Sequence, residues 1–184
     1  VLTPAVVGSS VYAAAQDGTL ARFDNGGQAW RINAGQPISG GVGADGRLVV
    51  VATAKGEVLA FDSTGKALWK GRVTSEVLAA PQIAGDLVLV RSGDNRIFGL
   101  DAADGKRKWV YQRSTPALSL RSNVSVTVAG KAALAGFPGG KLVAIALNTS
   151  FYDDDDEARR VIAETEARTG LPTDDPYRFG PGPL

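Results

Sequence analysis

Apolar residues in the first part of the chain come in short runs cut by polar turns rich in glycine and aspartate. Ala5-Val6-Val7 is followed by Gly8-Ser9-Ser10 and then by Val11 to Ala15. Asp17-Gly18 separates that run from Thr19 to Phe23, and Asp24-Asn25-Gly26-Gly27 leads on to Gln28 to Ile32. Runs this short, without the i, i+3, i+4 recurrence of a helical face, predict β-strands. Asp-Gly is a two-residue hairpin signal because both central positions of such a turn favour positive φ. Four strands joined by tight turns predict one antiparallel meander.

The pattern repeats. Asp17-Gly18-Thr19-Leu20-Ala21-Arg22-Phe23-Asp24 aligns without a gap on Lys55-Gly56-Glu57-Val58-Leu59-Ala60-Phe61-Asp62 and on Asp94-Asn95-Arg96-Ile97-Phe98-Gly99-Leu100-Asp101. Each octet leads through a glycine turn to a tryptophan, and Trp30, Trp69 and Trp109 are separated by 39 and 40 residues. Self-similarity at a period near ~40 with strand-type units predicts the blades of a β-propeller. The units run over about 3–39, 40–79, 80–120 and 121–147. Leu48 to Val51 and Leu87 to Val90 are apolar throughout, as expected of strands covered on both faces. Asp24, Asp62 and Asp101 recur at one position and are expected to cap turns by accepting from backbone N–H groups.

The fourth unit is atypical. Gly139 to Ala146 falls on the octet, but Ala146 replaces the aspartate, no tryptophan follows, and the spacing grows from 39 to 45 because 112–123 is longer. From about Asn148 the pattern changes. Asp153 to Glu157 followed by Ala158 to Arg168 predicts a helix with acidic residues at its N-terminus, Gly170 at its C-cap and Pro172 beyond. Asp156 with Arg160, and Glu164 with Arg168, are candidate i,i+4 pairs. The expected fold class is therefore all-β: a partial propeller of about four four-stranded antiparallel blades over 1–147, with a short helical or irregular tail over 148–184.

Composition narrows the chemistry. There is no cysteine and no histidine, which removes disulfides, thiolate nucleophiles and the commonest general base and transition-metal ligand. The net charge of +1 gives no field for nucleic acid or an acidic membrane surface. No apolar run approaches the ~18 residues of a membrane-spanning helix. Neither a signal peptide nor a lipidation site is visible, and methionine is absent, as for a processed product, an excised segment or a built fragment. The carboxylates from Asp153 to Glu157 lack the glycine and alternation of a calcium loop and read as a solvated helix start. Gly136 to Lys141 lacks the ending of a phosphate loop and reads as a hairpin turn.

The unit of aspartate, glycine turn and tryptophan resembles the repeat of the pyrroloquinoline-quinone-type β-propellers. That resemblance implies that Trp30, Trp69 and Trp109 pack at the seams between blades, each donating its indole N–H. Within Glu76 to Gly136, Ala79-Ala80-Pro81, Arg91 to Arg96, Leu100 to Gly105 and above all Pro116-Ala117-Leu118-Ser119-Leu120-Arg121 resemble the BamB family, lipoproteins of the outer-membrane β-barrel assembly machinery. The likeness covers 1 to about 147. It implies a scaffold and not an enzyme, with no cofactor, no metal and no small-molecule substrate, at the periplasmic face of the outer membrane for the parent. It also implies that Leu118, Leu120 and Arg121 contact the periplasmic POTRA region of a BamA-like protein. From the residues alone, the same stretch is either such an anchor or a strand with inward leucines and a solvated arginine. The family has about eight blades and this chain roughly four, so two half-rings closing as a homodimer is a second expectation. Beyond Leu147 the chain resembles the C-terminus of a P-loop family related to D-glutamate N-acetyltransferase, which implies a chimera, natural or engineered. A fragment of a quinone-dependent dehydrogenase is the remaining alternative.

Overall fold

The computed structural model describes residues 2–112, 124–129, 132–136, 142–147, 154–170, 173–174 and 178–179. Three of its sheets are the antiparallel meanders that the turns predict. The first contains β1 (Ala5–Val7), β2 (Ser10–Ala14), β3 (Thr19–Asp24) and β4 (Gly27–Asn33). The second contains β5 (Gly43–Ala44), β6 (Leu48–Ala52), β7 (Glu57–Asp62) and β8 (Ala67–Arg72). The third contains β9 (Gln82–Ala84), β10 (Leu87–Arg91), β11 (Arg96–Asp101) and β12 (Arg107–Gln112). Register shifts fall at one homologous step in all three, between Arg22 and Phe23, Ala60 and Phe61, and Gly99 and Leu100.

The core sits between blades. Strand side chains alternate faces, so each inner strand sends one set to the blade before it and one to the blade after. Tyr12, Ala14 and Leu20 of the first blade pack on Val49, Val51, Leu59 and Phe61 of the second. The second blade's other face, with Val50, Ala52 and Val58, packs on Val88, Val90, Phe98 and Leu100 of the third. The third continues with Leu89, Ile97 and Trp109 against Val126 and Ala135. Residues in β6 and β10 are buried at every position, which explains the apolar runs Leu48 to Ala52 and Leu87 to Val90; Arg91, the last residue of β10, is buried as well. Each such side chain contributes about 1.5–3 kcal/mol of transfer free energy.

The fourth sheet differs from the expected antiparallel blade. It contains β13 (Thr127–Ala129), β14 (Ala132–Gly136), β15 (Leu142–Leu147) and β16 (Thr173–Asp174), and β16 runs parallel to β15. Its last strand thus comes from the segment expected to be a tail, returning after α1 (Asp155–Thr169). A parallel neighbour requires a crossover connection, and the helix is that crossover. Asp154 caps α1 by accepting from the Glu157 N–H, and Gly170 ends it at φ 66° with its N–H on the Glu166 carbonyl. Ala158 is fully buried and Val161, Ile162 and Thr165 are half-buried, so the apolar stripe docks. The charges pair differently from the i,i+4 expectation: Arg160 reaches Glu157 at 3.9 Å, and Asp155 pairs with Arg178 at 2.6 Å. Arg159 stacks 4.0 Å from the centre of the Phe179 ring.

Candidate functional site

The most regular geometry lies at the seams. Trp30 Nε1 donates to the Ser63 carbonyl at 2.9 Å, and Trp69 Nε1 donates to the Ala102 carbonyl at 2.8 Å. In both cases the acceptor follows the recurrent aspartate of the next blade. Each ring also lies over that turn's glycine. A Cβ at Gly65 would stand 3.2 Å from the Trp30 ring, and one at Gly105 would stand 2.4 Å from the Trp69 ring. The indole thus buries an apolar plate and satisfies a carbonyl in one move. Arg22 adds a second bond to the Ser63 carbonyl at 3.0 Å, lying over the Tyr12 ring. Trp109 is 9% exposed and rests directly on Gly99 of its own blade.

Two of the three recurrent aspartates cap their turns as expected. Asp62 Oδ1 accepts from the backbone N–H groups of Thr64 and Lys66, and Asp101 Oδ1 accepts from that of Ala103. Hydrogen bonds from the Thr64 hydroxyl and the Lys66 N–H hold the Asp62 carboxyl below its ordinary range, and the Ala103 N–H does so for Asp101. Asp24 corrects the rule. It binds the Ser10 hydroxyl at 2.7 Å and Arg22 Nε at 2.9 Å, because its blade alone carries an arginine two residues before the aspartate.

A cleft of about 300 Å³ opens at the seam of the second and third blades, lined by Arg47, Leu48, Leu68, Asp86, Asp101 and Ala102. Leu68 stands 50% exposed at its edge. Arg47 is held by Asp45 and by the Gly85 carbonyl, and Lys108 bridges Asp86 and Asp101 at 3.2 and 3.1 Å. Burial opposes the Lys108 charge, but the two carboxylates outweigh it and raise its pKa above the usual lysine range. Each cation of the cleft is thus held by at least one carboxylate. Among the described residues, no group of three or more carboxylates could hold a metal.

Arg91, the last residue of β10, is 6% exposed and donates towards Asn95 Oδ1 and the Val124 carbonyl at 3.4 and 3.5 Å. Burial alone lowers its pKa. The repeat sets this arginine against Ala14 and Ala52 of the first two blades, but its burial is evident only in the structure. Of the residues assigned from sequence, Trp30 and Trp69 each bond a carbonyl of the following blade, and Trp109 packs in a cluster with Leu89, Ile97, Val126 and Ala135. Leu118, Leu120 and Arg121 fall outside the described residues, as do 137–141, which join the antiparallel pair β14 and β15.

A family model described as outer membrane protein assembly factor BamB matches residues 16–172. The BamB of Nitrosomonas eutropha is 48% identical over 151 residues, covering 81% of this chain and 37% of that protein. That of Burkholderia pseudomallei is 38% identical over 179 residues, covering 93% and 47%. Among solved structures, BamB from Moraxella catarrhalis superposes with a TM-score of 0.67 at 33% identity, covering 72% of this chain and 41% of that one. The chain spans less than half the length of these relatives. The family match runs past Leu147, through the helix read from sequence as a foreign tail.

Proposed function

The chain belongs to the BamB family of outer membrane protein assembly factors, and from that premise we propose that it is a non-catalytic scaffold that docks the periplasmic POTRA region of a BamA-like protein. Leu118, Leu120 and Arg121 are the proposed contacts, and the periplasmic face of the outer membrane is the proposed location of the parent. Family membership is the observation that carries this reading. The seams support it, because stacking and indole bonds fix the blades as a rigid platform, and docking loops work best on rigid supports. Arginine is among the residue types enriched at interface hot spots, and the two leucines beside Arg121 add apolar area for a partner to bury.

The test is capture of a purified POTRA fragment by the intact chain. Arg121→Ala and Leu118→Ala should each weaken binding by about tenfold, equivalent to about 1.4 kcal/mol, while the unfolding midpoint stays within error. Equal binding by all three proteins would reject the contacts.

A second reading is favoured by one observation. Val6 and Val11, paired across β1 and β2, are 69% and 36% exposed on the outer face of the first blade. In this reading such half-rings self-associate to cover exposed seam faces, closing as a homodimer.

A further inference from the structure

The hairpin between the third and fourth strands closes differently in the first blade. In the second and third blades the aspartate that opens it accepts from the backbone N–H two residues on, Asp62 from Thr64 and Asp101 from Ala103, both at 2.8 Å. In the first blade Asp24 opens the hairpin, and its carboxylate is taken instead by the Ser10 hydroxyl and by Arg22 Nε. The residue two places on is Gly26, whose N–H has no hydrogen-bond partner among the described residues.

Asn25 stands directly before that uncommitted nitrogen. The two residues are the whole of the turn, with Asp24 facing Gly27 across the ladder and φ of 49° and 84°, as in a type I′ hairpin. Both are exposed, the Asn25 side chain has no partner among the described residues, and a Cβ built on Gly26 meets nothing within 4 Å. Neither a side chain on Gly26 nor a neighbouring element obstructs a reaction between the Gly26 nitrogen and the Asn25 amide. The other described asparagines are engaged. Asn33 Oδ1 accepts from the Gly35 N–H at 2.7 Å, and the nitrogen that follows it, on Ala34, donates to the Gly18 carbonyl at 2.8 Å. Asn95 is 8% exposed, with Arg91 donating towards its Oδ1, and the residue after it begins β11.

We infer that Asn25 is a site of spontaneous hydrolytic modification, with water as co-reactant, and that its conversion loosens the first seam. The Gly26 nitrogen loses its proton to water or hydroxide and bonds to Asn25 Cγ; the Cγ–Nδ2 bond breaks, and Nδ2 leaves as ammonia with a proton from water. Water then opens the five-membered imide. Attack at Cγ breaks the new bond and leaves aspartate, whereas attack at the main-chain carbonyl carbon breaks the original peptide bond and leaves isoaspartate. Either product sets a second carboxylate beside Asp24, which holds Arg22, and Arg22 donates to the same Ser63 carbonyl that receives Trp30. Isoaspartate also adds one backbone atom to the turn that leads into β4, the strand of Trp30. This reactivity is independent of any docking role.

The test incubates the intact chain at mildly alkaline pH, folded and unfolded in urea, and maps its tryptic peptides by mass for the gain that marks exchange of ammonia for water. In the folded chain Asn25 should convert at least about tenfold faster than Asn33 or Asn95, and within about tenfold of its own rate in urea. Conversion of Asn25 in urea only, or no faster than the other two in the folded chain, would overturn the site. The isoaspartyl form, separated by ion exchange, should exchange the Trp30 Nε1–H at least about fivefold faster than the unconverted chain, with Trp69 unchanged. Equal exchange of Trp30 in the two forms would overturn the effect on the seam.

Discussion

Val11 and Val49 hold the same place in successive blades, as second residues of their second strands, yet Val49 is fully buried and Val11 is 36% exposed. The face of the second blade that packs on the first uses Val49, Val51, Leu59 and Phe61; its counterpart on the first blade is Val11, Ala13, Ala21 and Phe23. The face that a preceding blade would cover therefore meets no such blade among the described residues.

Lysine substitution separates the two environments. Val49→Lys places an unpaired charge in a closed seam and should cost more than about 4 kcal/mol, whereas Val11→Lys should change stability by less than about 0.5 kcal/mol. Light scattering adds the self-association test: Val11→Lys should reduce any dimer, and a native chain that stays monomeric at high concentration removes the half-ring reading.

The indole seats make a second pair of predictions. Gly26→Ala meets nothing within 4 Å and should cost only the left-handed backbone penalty, about 1–2 kcal/mol. Gly105→Ala carries that penalty and also drives a methyl into Trp69, which adds about 1–3 kcal/mol. Urea denaturation midpoints, compared at constant m, measure the difference.

Trp69→Phe keeps much of the apolar plate but removes the donor to the Ala102 carbonyl, and should destabilise by about 1–3 kcal/mol. Trp109→Ala should cost about 3–5 kcal/mol, because its ring is buried against Gly99 and the cluster around Val126.

The pH dependence follows from the turn aspartates. Their folded carboxyls titrate below the unfolded value of about 3.9, so their contribution is present above that value and lost as pH falls through the folded pKa. With no histidine to titrate, stability should be flat from about pH 5 to 8 and decline below about pH 4. Asp62→Asn and Asp101→Asn should each flatten the acid limb of a thermal-melt series.

Much of this architecture is legible in the sequence, because blade formation depends on local signals. Gapless octets, glycine turns and a tryptophan every 39 or 40 residues specify strands, register and seam. What escaped depends on contacts distant in sequence. Arg22 draws Asp24 away from its turn, a competition that the aspartate's position does not reveal. Thr173–Asp174 is too short to read as a strand, and only the crossover by α1 brings it beside β15. Arg91 ends an apolar run as any solvated arginine would, and only the structure shows it buried and donating towards Asn95.

Indole hydrogen exchange tests most directly whether meander blades are locked through their tryptophans into one platform. On tryptophan-labelled protein at neutral pH, the Nε1–H signals of Trp30 and Trp69 should exchange at least about a thousandfold more slowly than free indole, and Trp69→Phe should speed the exchange of Trp30 only modestly. Exchange of both indoles at the free rate in folded protein would contradict the seams, and with them the platform.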